Sequence, residues 1–237
     1  TWGIYEMREI TAGELSKILK EHKRWIDTDR KEGENANLSD ANLSGANLYK
    51  ADLSGAWLSF ADLREADLSN AKLSDATLIK ANLRRADLME ADLSYAKLSD
   101  ANLSGANLIY ANLSNANLSD ANLSGANLSY AKLSDANLSG ANLIYANLSG
   151  ANLVGANLTG ADLSAAILMD ANLLEAKLSG AYLESANLSD AYLSGVIGLT
   201  VEQLSDVETL YEAKLEPELM EQVEDEYPHL LEKPEEE

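Results

Sequence analysis

Leucine recurs at every fifth position from Leu38 to Leu193, and alanine stands two positions before each, giving 32 units whose commonest form is Ala-(Asn/Asp)-Leu-Ser-x. A period of five matches neither the 3.6-residue turn of a helix nor the two-residue alternation of a strand, so the chain must turn at a fixed interval and stack on itself as a solenoid. A narrow tube needs one large and one small inward group per side, because two large groups collide and two small ones leave voids. Leucine and alanine meet that need. The pattern settles the architecture more firmly than the biochemistry.

The units Ala36-Asn37-Leu38-Ser39-Asp40 and Ala41-Asn42-Leu43-Ser44-Gly45, with their successors to residue 195, resemble the pentapeptide-repeat family. The resemblance implies an all-β solenoid, a right-handed quadrilateral β-helix in which each unit forms one side and four units close a coil. The central Leu and the preceding Ala would point inward and the other three residues outward. On that plan the 32 units make about eight coils, a rod of about 35–40 Å at roughly 4.8 Å per coil. Leu38, Leu58, Leu78 and onward to Leu178 would form one of four interior columns. Burying a leucine stabilises by roughly 1.5–3 kcal/mol, against about 1–2 kcal/mol per residue for ordering the backbone. Each coil must therefore rely on its neighbours.

Exposed ends of such a rod would template edge-to-edge association, so both flanks are expected to be covers. In residues 1–35, Thr11-Ala12-Gly13-Glu14 has capping-box spacing and precedes Leu15, Ile18, Leu19, Trp25 and Ile26 at helical intervals, predicting a helix from about 12 to 28. Asp29 to Asn35 reads as a polar loop, while Trp2, Ile4 and Met7 are too few to assign. In residues 196–237, Thr200 and Gln203 repeat the capping box ahead of Leu204, Val207, Leu210 and Tyr211 on one predicted helical face. Glu216-Pro217 predicts a second helix carrying Leu219, Met220 and Val223, and Pro234 to Glu237 a solvated tail. The apolar residues of this cap exceed what one rod end needs. They allow a homodimer through the C-terminal helices, or simple folding back on the last coil.

Composition narrows the chemistry. The chain has no cysteine, so thiolate and disulfide chemistry are unavailable. No apolar run approaches the ~20 residues of a membrane span, and no signal-peptide pattern opens the chain, which starts at Thr1. A cytoplasmic protein without membrane contact is the expectation. A net charge of −21 argues against direct nucleic-acid binding, which needs a basic footprint. His22 lies on the N-terminal helix and His229 in the acidic cap, both away from the middle of the rod, and the serines after each Leu have no base beside them. No cofactor or metal site is expected, since the Gly-Gly-x-Gly-x-Asp pattern of calcium-binding β-rolls is absent. Threonine arrays of the ice-binding kind are also missing, with only Thr77 and Thr159 in the coils. The reading is a non-enzymatic structural or protein-interaction module.

The acidity raises an alternative. Some pentapeptide-repeat proteins are thought to imitate duplex DNA toward DNA gyrase, a type II topoisomerase, so the resemblance implies a DNA-mimicking regulator as the second reading. Residues 36–195 carry 17 acidic and 9 basic side chains, a net of −8 over about eight coils, and residues 196–237 carry 14 against 2. Duplex DNA holds one charge per ~1.7 Å, several times more than this rod. The column Asp52, Lys72, Asp92 alternates in sign; Asp67 with Asp87, and Asp100 with Asp120, are the like-charge stacks that remain as mimicry candidates. The central residue is always Leu, never Phe, and no loop interrupts the coils, which departs from the gyrase-binding members.

Candidate contact residues are the outward apolar groups that break the Asn/Ser/Gly background. Trp57 and Phe60, the single phenylalanine, flank Leu58 and face solvent or the N-terminal helix. Tyr110 and Tyr130 share a column, with Met89 and Ile109 in the column beside it. Ile144 and Tyr145 lie on a neighbouring side, in line with Arg64, Arg84 and Arg85. Tyr-rich surface with Arg nearby suits a binding hot spot, while stacked tyrosines can equally serve only to stiffen the sheet.

Overall fold

In the computed structural model, which describes residues 7–234, a parallel ladder joins each unit to the one 20 residues later, from Asn37 with Trp57 to Lys177 with Ile197. Four units therefore close each coil. The pairing comes as single bridges rather than extended strands, because each five-residue side turns before a second residue can pair. Its bonds are regular: Leu118 N–H donates to Asn137 O at 2.7 Å, and Asn137 N–H to Ala116 O at 2.9 Å. Every central leucine from Leu38 to Leu193 is at most 3% exposed.

Each corner is a four-residue Leu-Ser-x-Ala turn closed by the alanine N–H on the leucine carbonyl, as in Ala121 to Leu118 at 3.1 Å. The third residue of every such turn, at all 32 positions from Asp40 to Gly195, has positive φ, and only ten of these residues are glycine. A left-handed residue there is what a type II turn requires. In the 23 units where Asn or Asp stands before Leu, its side chain braces the turn: Asn137 Oδ1 accepts from Ser139 N–H at 3.2 Å, and Asp162 Oδ1 from Ser164 N–H at 3.0 Å. Asn or Asp at this position is a turn former. Asparagines also ladder between coils, Asn157 donating to Asn137 and Asn137 to Asn117, both at 3.1 Å.

The N-terminal cover is an element pair. β1 (Arg8–Glu9) adds in parallel to β2 (Ala41–Asn42), pairing the open edge of the first coil. α1 (Ala12–Asp27) begins with the Thr11–Glu14 capping box and lays Leu15, Ile18 and Leu19 on the core. The fully buried His22 ring accepts the Ala36 N–H on Nδ1 at 3.0 Å, so a side chain satisfies the first coil's leading amide. Its Nε2 is buried toward the Ser54 carbonyl without a well-formed hydrogen bond, and the ring stacks on Trp25 at 5.5 Å. Burial holds this imidazole below its usual pKa, opposed by Asp52 and the Ser54 carbonyl.

At the other end the helix expected through Tyr211 stops early. α2 spans only Val201–Leu204. The chain then resumes the ladder in a register of 22 rather than 20, Asn187 bridging Thr209 and Tyr192 bridging Lys214. Val207 and Leu210 are buried as inward groups of these added sides, not as a helical stripe. Two extra residues let α2 replace one side, and its Gln203 amide donates to Leu178 O at 2.9 Å and Ala181 O at 2.8 Å, satisfying carbonyls the ladder leaves open. α3 (Pro217–Glu226) starts with proline in its first turn as expected. With the following 3-10 turn at Pro228–Leu231 it folds back to bury Val223 and Leu230. Trp2, Ile4 and Glu235 to Glu237 lie outside the described residues. Among the described residues no helix is long and apolar enough to cross a membrane.

Candidate interaction surface

The fold consumes two inward positions and, in the 23 units with Asn or Asp before Leu, commits that residue to bracing the turn, so distinct chemistry falls to the two corner residues after each Leu and to the nine units where another residue precedes it. Tyr110 and Tyr130 occupy left-handed corners 20 residues apart and stack with ring centroids 5.3 Å apart at 15°. Met89 and Ile109 are half-buried in the column beside them. Trp57 and Phe60 remain 51% and 52% exposed, so α1 leaves both open, and Lys80 stands 6.0 Å from the Phe60 ring centre. Tyr145 is 72% exposed beside the half-buried Ile144.

Five aromatic side chains sit at left-handed corners: Phe60, Tyr95, Tyr110, Tyr130 and Tyr145. A bulky residue at positive φ is an outlier whose strain is tolerated only for a reason. Glycine serves the same turn at ten equivalent corners, so the fold does not ask for these rings. Tyr95 is not among the sequence candidates. Nor are Ile167, Tyr182, Tyr192 and Ile197, which are exposed before or just after the last leucines, where asparagine is the background. The signal is available in the sequence: each breaks the Asn/Asp rule at its position.

The acidic candidates divide by role. Asp67 accepts from Ser69 N–H at 3.0 Å and from its hydroxyl, and these bonds hold its pKa below the ordinary carboxylate value. Asp87 accepts from Met89 N–H at 3.1 Å and from the Asn107 amide at 3.0 Å. Both are turn braces, although they are ladder neighbours as expected. Asp100 and Asp120 occupy left-handed corners, with Asp120 Oδ1 lying across the face of Gly140. In the alternating column Lys72 meets Asp52 at 3.6 Å, whereas Asp92 takes an amide from Asn112 at 3.0 Å. Arg64 forks onto Asp62 and depresses its pKa, an ion pair inside one turn. Among the described residues no group of three His, Cys, Asp or Glu could hold a metal ion.

The model of the family described as pentapeptide repeats matches eight copies across residues 34–195. Among solved structures, the chain is 33% identical to HetL, a pentapeptide repeat protein involved in heterocyst differentiation regulation from the cyanobacterium Nostoc sp. strain PCC 7120. That match covers 86% of this chain and 94% of HetL with a TM-score of 0.54. A trypsin-treated form of QnrB1, a plasmid-mediated fluoroquinolone resistance protein, superposes with a TM-score of 0.69 at 20% identity, covering 79% of this chain and 95% of QnrB1. That second likeness concerns the fold alone. No curated protein sequence matches the chain.

Proposed function

Because this chain belongs to the pentapeptide-repeat family, we propose that it is a non-enzymatic right-handed quadrilateral β-helix of eight coils that works as a protein-interaction module through its outer corners. The observation that carries the reading is the placement of five exposed aromatic rings at left-handed corners where glycine would serve the fold better. Solvent-exposed Trp and Tyr beside Arg or Lys are the side chains binding hot spots use. HetL, a pentapeptide repeat protein involved in heterocyst differentiation regulation, spans nearly the same length.

The DNA-mimic alternative has weaker support. The rod carries a net of −8, and Asp67 and Asp87 are engaged by turn hydrogen bonds. The discriminating experiment pairs two assays. Affinity capture from the source cell extract, quantified for wild type against Phe60→Gly and Tyr95→Gly, should show partners lost with the rings. A DNA gyrase supercoiling assay at low and high salt should show no inhibition. Partners retained equally by all variants, or inhibition that salt relieves, would overturn the aromatic-surface reading.

A further inference from the structure

The side of the rod built on Leu48, Leu68 and onward to Leu188 carries eight rows of outward residues, and their order is self-complementary when reversed. A two-fold axis lying in an interface and perpendicular to the rod reverses the rows of the second copy while keeping each column opposite itself. With the axis between rows four and five, the corner column sets Lys50 against Asp190, Asn70 against Asp170, Glu90 against Gly150 and Tyr110 against Tyr130. No like charges meet.

The adjacent column pairs large with small throughout: Tyr49 with Ser189, Met169 with Ser69, Ile109 with Ser129 and Met89 with Ser149. Three of those serines are buried among their neighbours, at 7%, 8% and 9% exposure for Ser189, Ser69 and Ser129, and they are the only buried serines among the described residues. At the flanking corner Arg85 meets Tyr145, a cation facing the most exposed ring among the described residues.

The other three sides fail the same operation. Reversal sets Asp100 on Asp120, Asp62 on Asp162, and Asp75 on Glu175. The global charge favours the same arrangement. Residues 98–237 hold 22 acidic and 4 basic side chains, and residues 1–97 hold 17 and 14. Antiparallel packing sets the acidic half of one rod beside the near-neutral half of the other.

We propose that this side is the interface of a homodimer in which two copies pack side by side and antiparallel, with Tyr110 and Tyr130 astride the two-fold axis. The contact is roughly 35 Å by 10 Å, about 700 Å² over both copies and below the usual size of stable interfaces, so the dimer is weak and concentration-dependent. It leaves the Trp57 and Phe60 side free and does not depend on the identity of any other partner.

The test uses the full chain in sedimentation velocity from low-micromolar to submillimolar concentration. Lys50→Glu should weaken dimerisation roughly three- to tenfold at low salt, Asp190→Lys likewise, and the double exchange should restore it. Because the chain lacks cysteine, Met89→Cys protein mixed with Ser149→Cys protein should oxidise to a covalent dimer. Neither variant alone should cross-link this way, since equal residues lie three coils apart across the axis. A monomer throughout the range, or a dimer indifferent to the charge exchange and without the mixed cross-link, overturns the proposal.

Discussion

Replacing Tyr145 by glycine should stabilise the rod even though it removes a large side chain. Tyr145 holds φ at 59° and is 72% exposed, so it carries left-handed strain with little burial in return. An L-residue in that region costs about 1–2 kcal/mol, and glycine's extra chain entropy on folding costs about 0.5–1 kcal/mol. The balance favours glycine by about 0.5–1 kcal/mol, which in a chain of this size raises Tm by about 1–4 °C. The reverse exchange has two grades. Gly125 (φ 62°) has nothing near its missing Cβ, so Gly125→Ala should cost about the same amount. At Gly140 (φ 67°) a Cβ would stand 2.4 Å from Asp120 Oδ1, so Gly140→Ala should cost more, and the excess should vanish in an Asp120→Gly background. Guanidinium and thermal midpoints should rank Tyr145→Gly above wild type, then Gly125→Ala, then Gly140→Ala. A Tyr145→Gly midpoint below wild type would refute the reasoning, because the ring would then be contributing packing that outweighs its strain.

Leu118, fully buried in the middle of the stack, should lose about 3–5 kcal/mol on truncation to alanine. Leu118→Asp should uncouple the two halves, visible as two unfolding steps in place of one. Asn137→Ala removes the brace on Ser139 and two inter-coil amide bonds, so denaturant midpoints should report about 1–3 kcal/mol, with Asn137→Asp recovering the turn share. His22 is held below its ordinary pKa, so the folded state resists its protonation. Its stabilising contribution is complete above about pH 6.5 and declines as pH falls below that value toward the lowered folded pKa. Amide exchange at Ala36, corrected for intrinsic rate, should speed up across that interval. Constant protection there would show that the Nδ1 bond does not hold the cap.

How much of this is legible depends on whether a position repeats. The inward columns, the capping boxes at Thr11 and Thr200 and the helix start at Pro217 follow from spacing or local chemistry, and the structure places them where the sequence does. The left-handed corner is harder to see, although glycine, aspartate and asparagine dominate it, because Leu and Ala carry the stronger periodic signal. The stretch from Val207 to Tyr211 misleads for a physical reason. Its apolar spacing fits a helix, but the open edge at Asn187 and Tyr192 offers ladder bonds, and pairing an exposed edge outweighs local helical preference. His22 reads as a helix-face residue because nothing local announces that Ala36 needs an acceptor.

The same reasoning says where function must be written in such a chain. Of five positions per unit, two fill the tube and a third braces the turn wherever it is Asn or Asp, although nine units carry Trp, Lys, Thr, Ile or Tyr there and keep the ladder. A fourth must accept positive φ, and every departure there from glycine, aspartate or asparagine is mildly opposed by the backbone. Information about partners therefore concentrates in residues that the fold tolerates without needing them, and it is ordered by columns 20 residues apart rather than by the five-residue period. Tyr110 and Tyr130 are neighbours in that second order alone, and Lys50 and Asp190 are the two ends of the same column. Shuffling whole coils should then preserve stability while scrambling recognition, and a shuffled rod that kept both stability and self-association would show that the column order carries nothing.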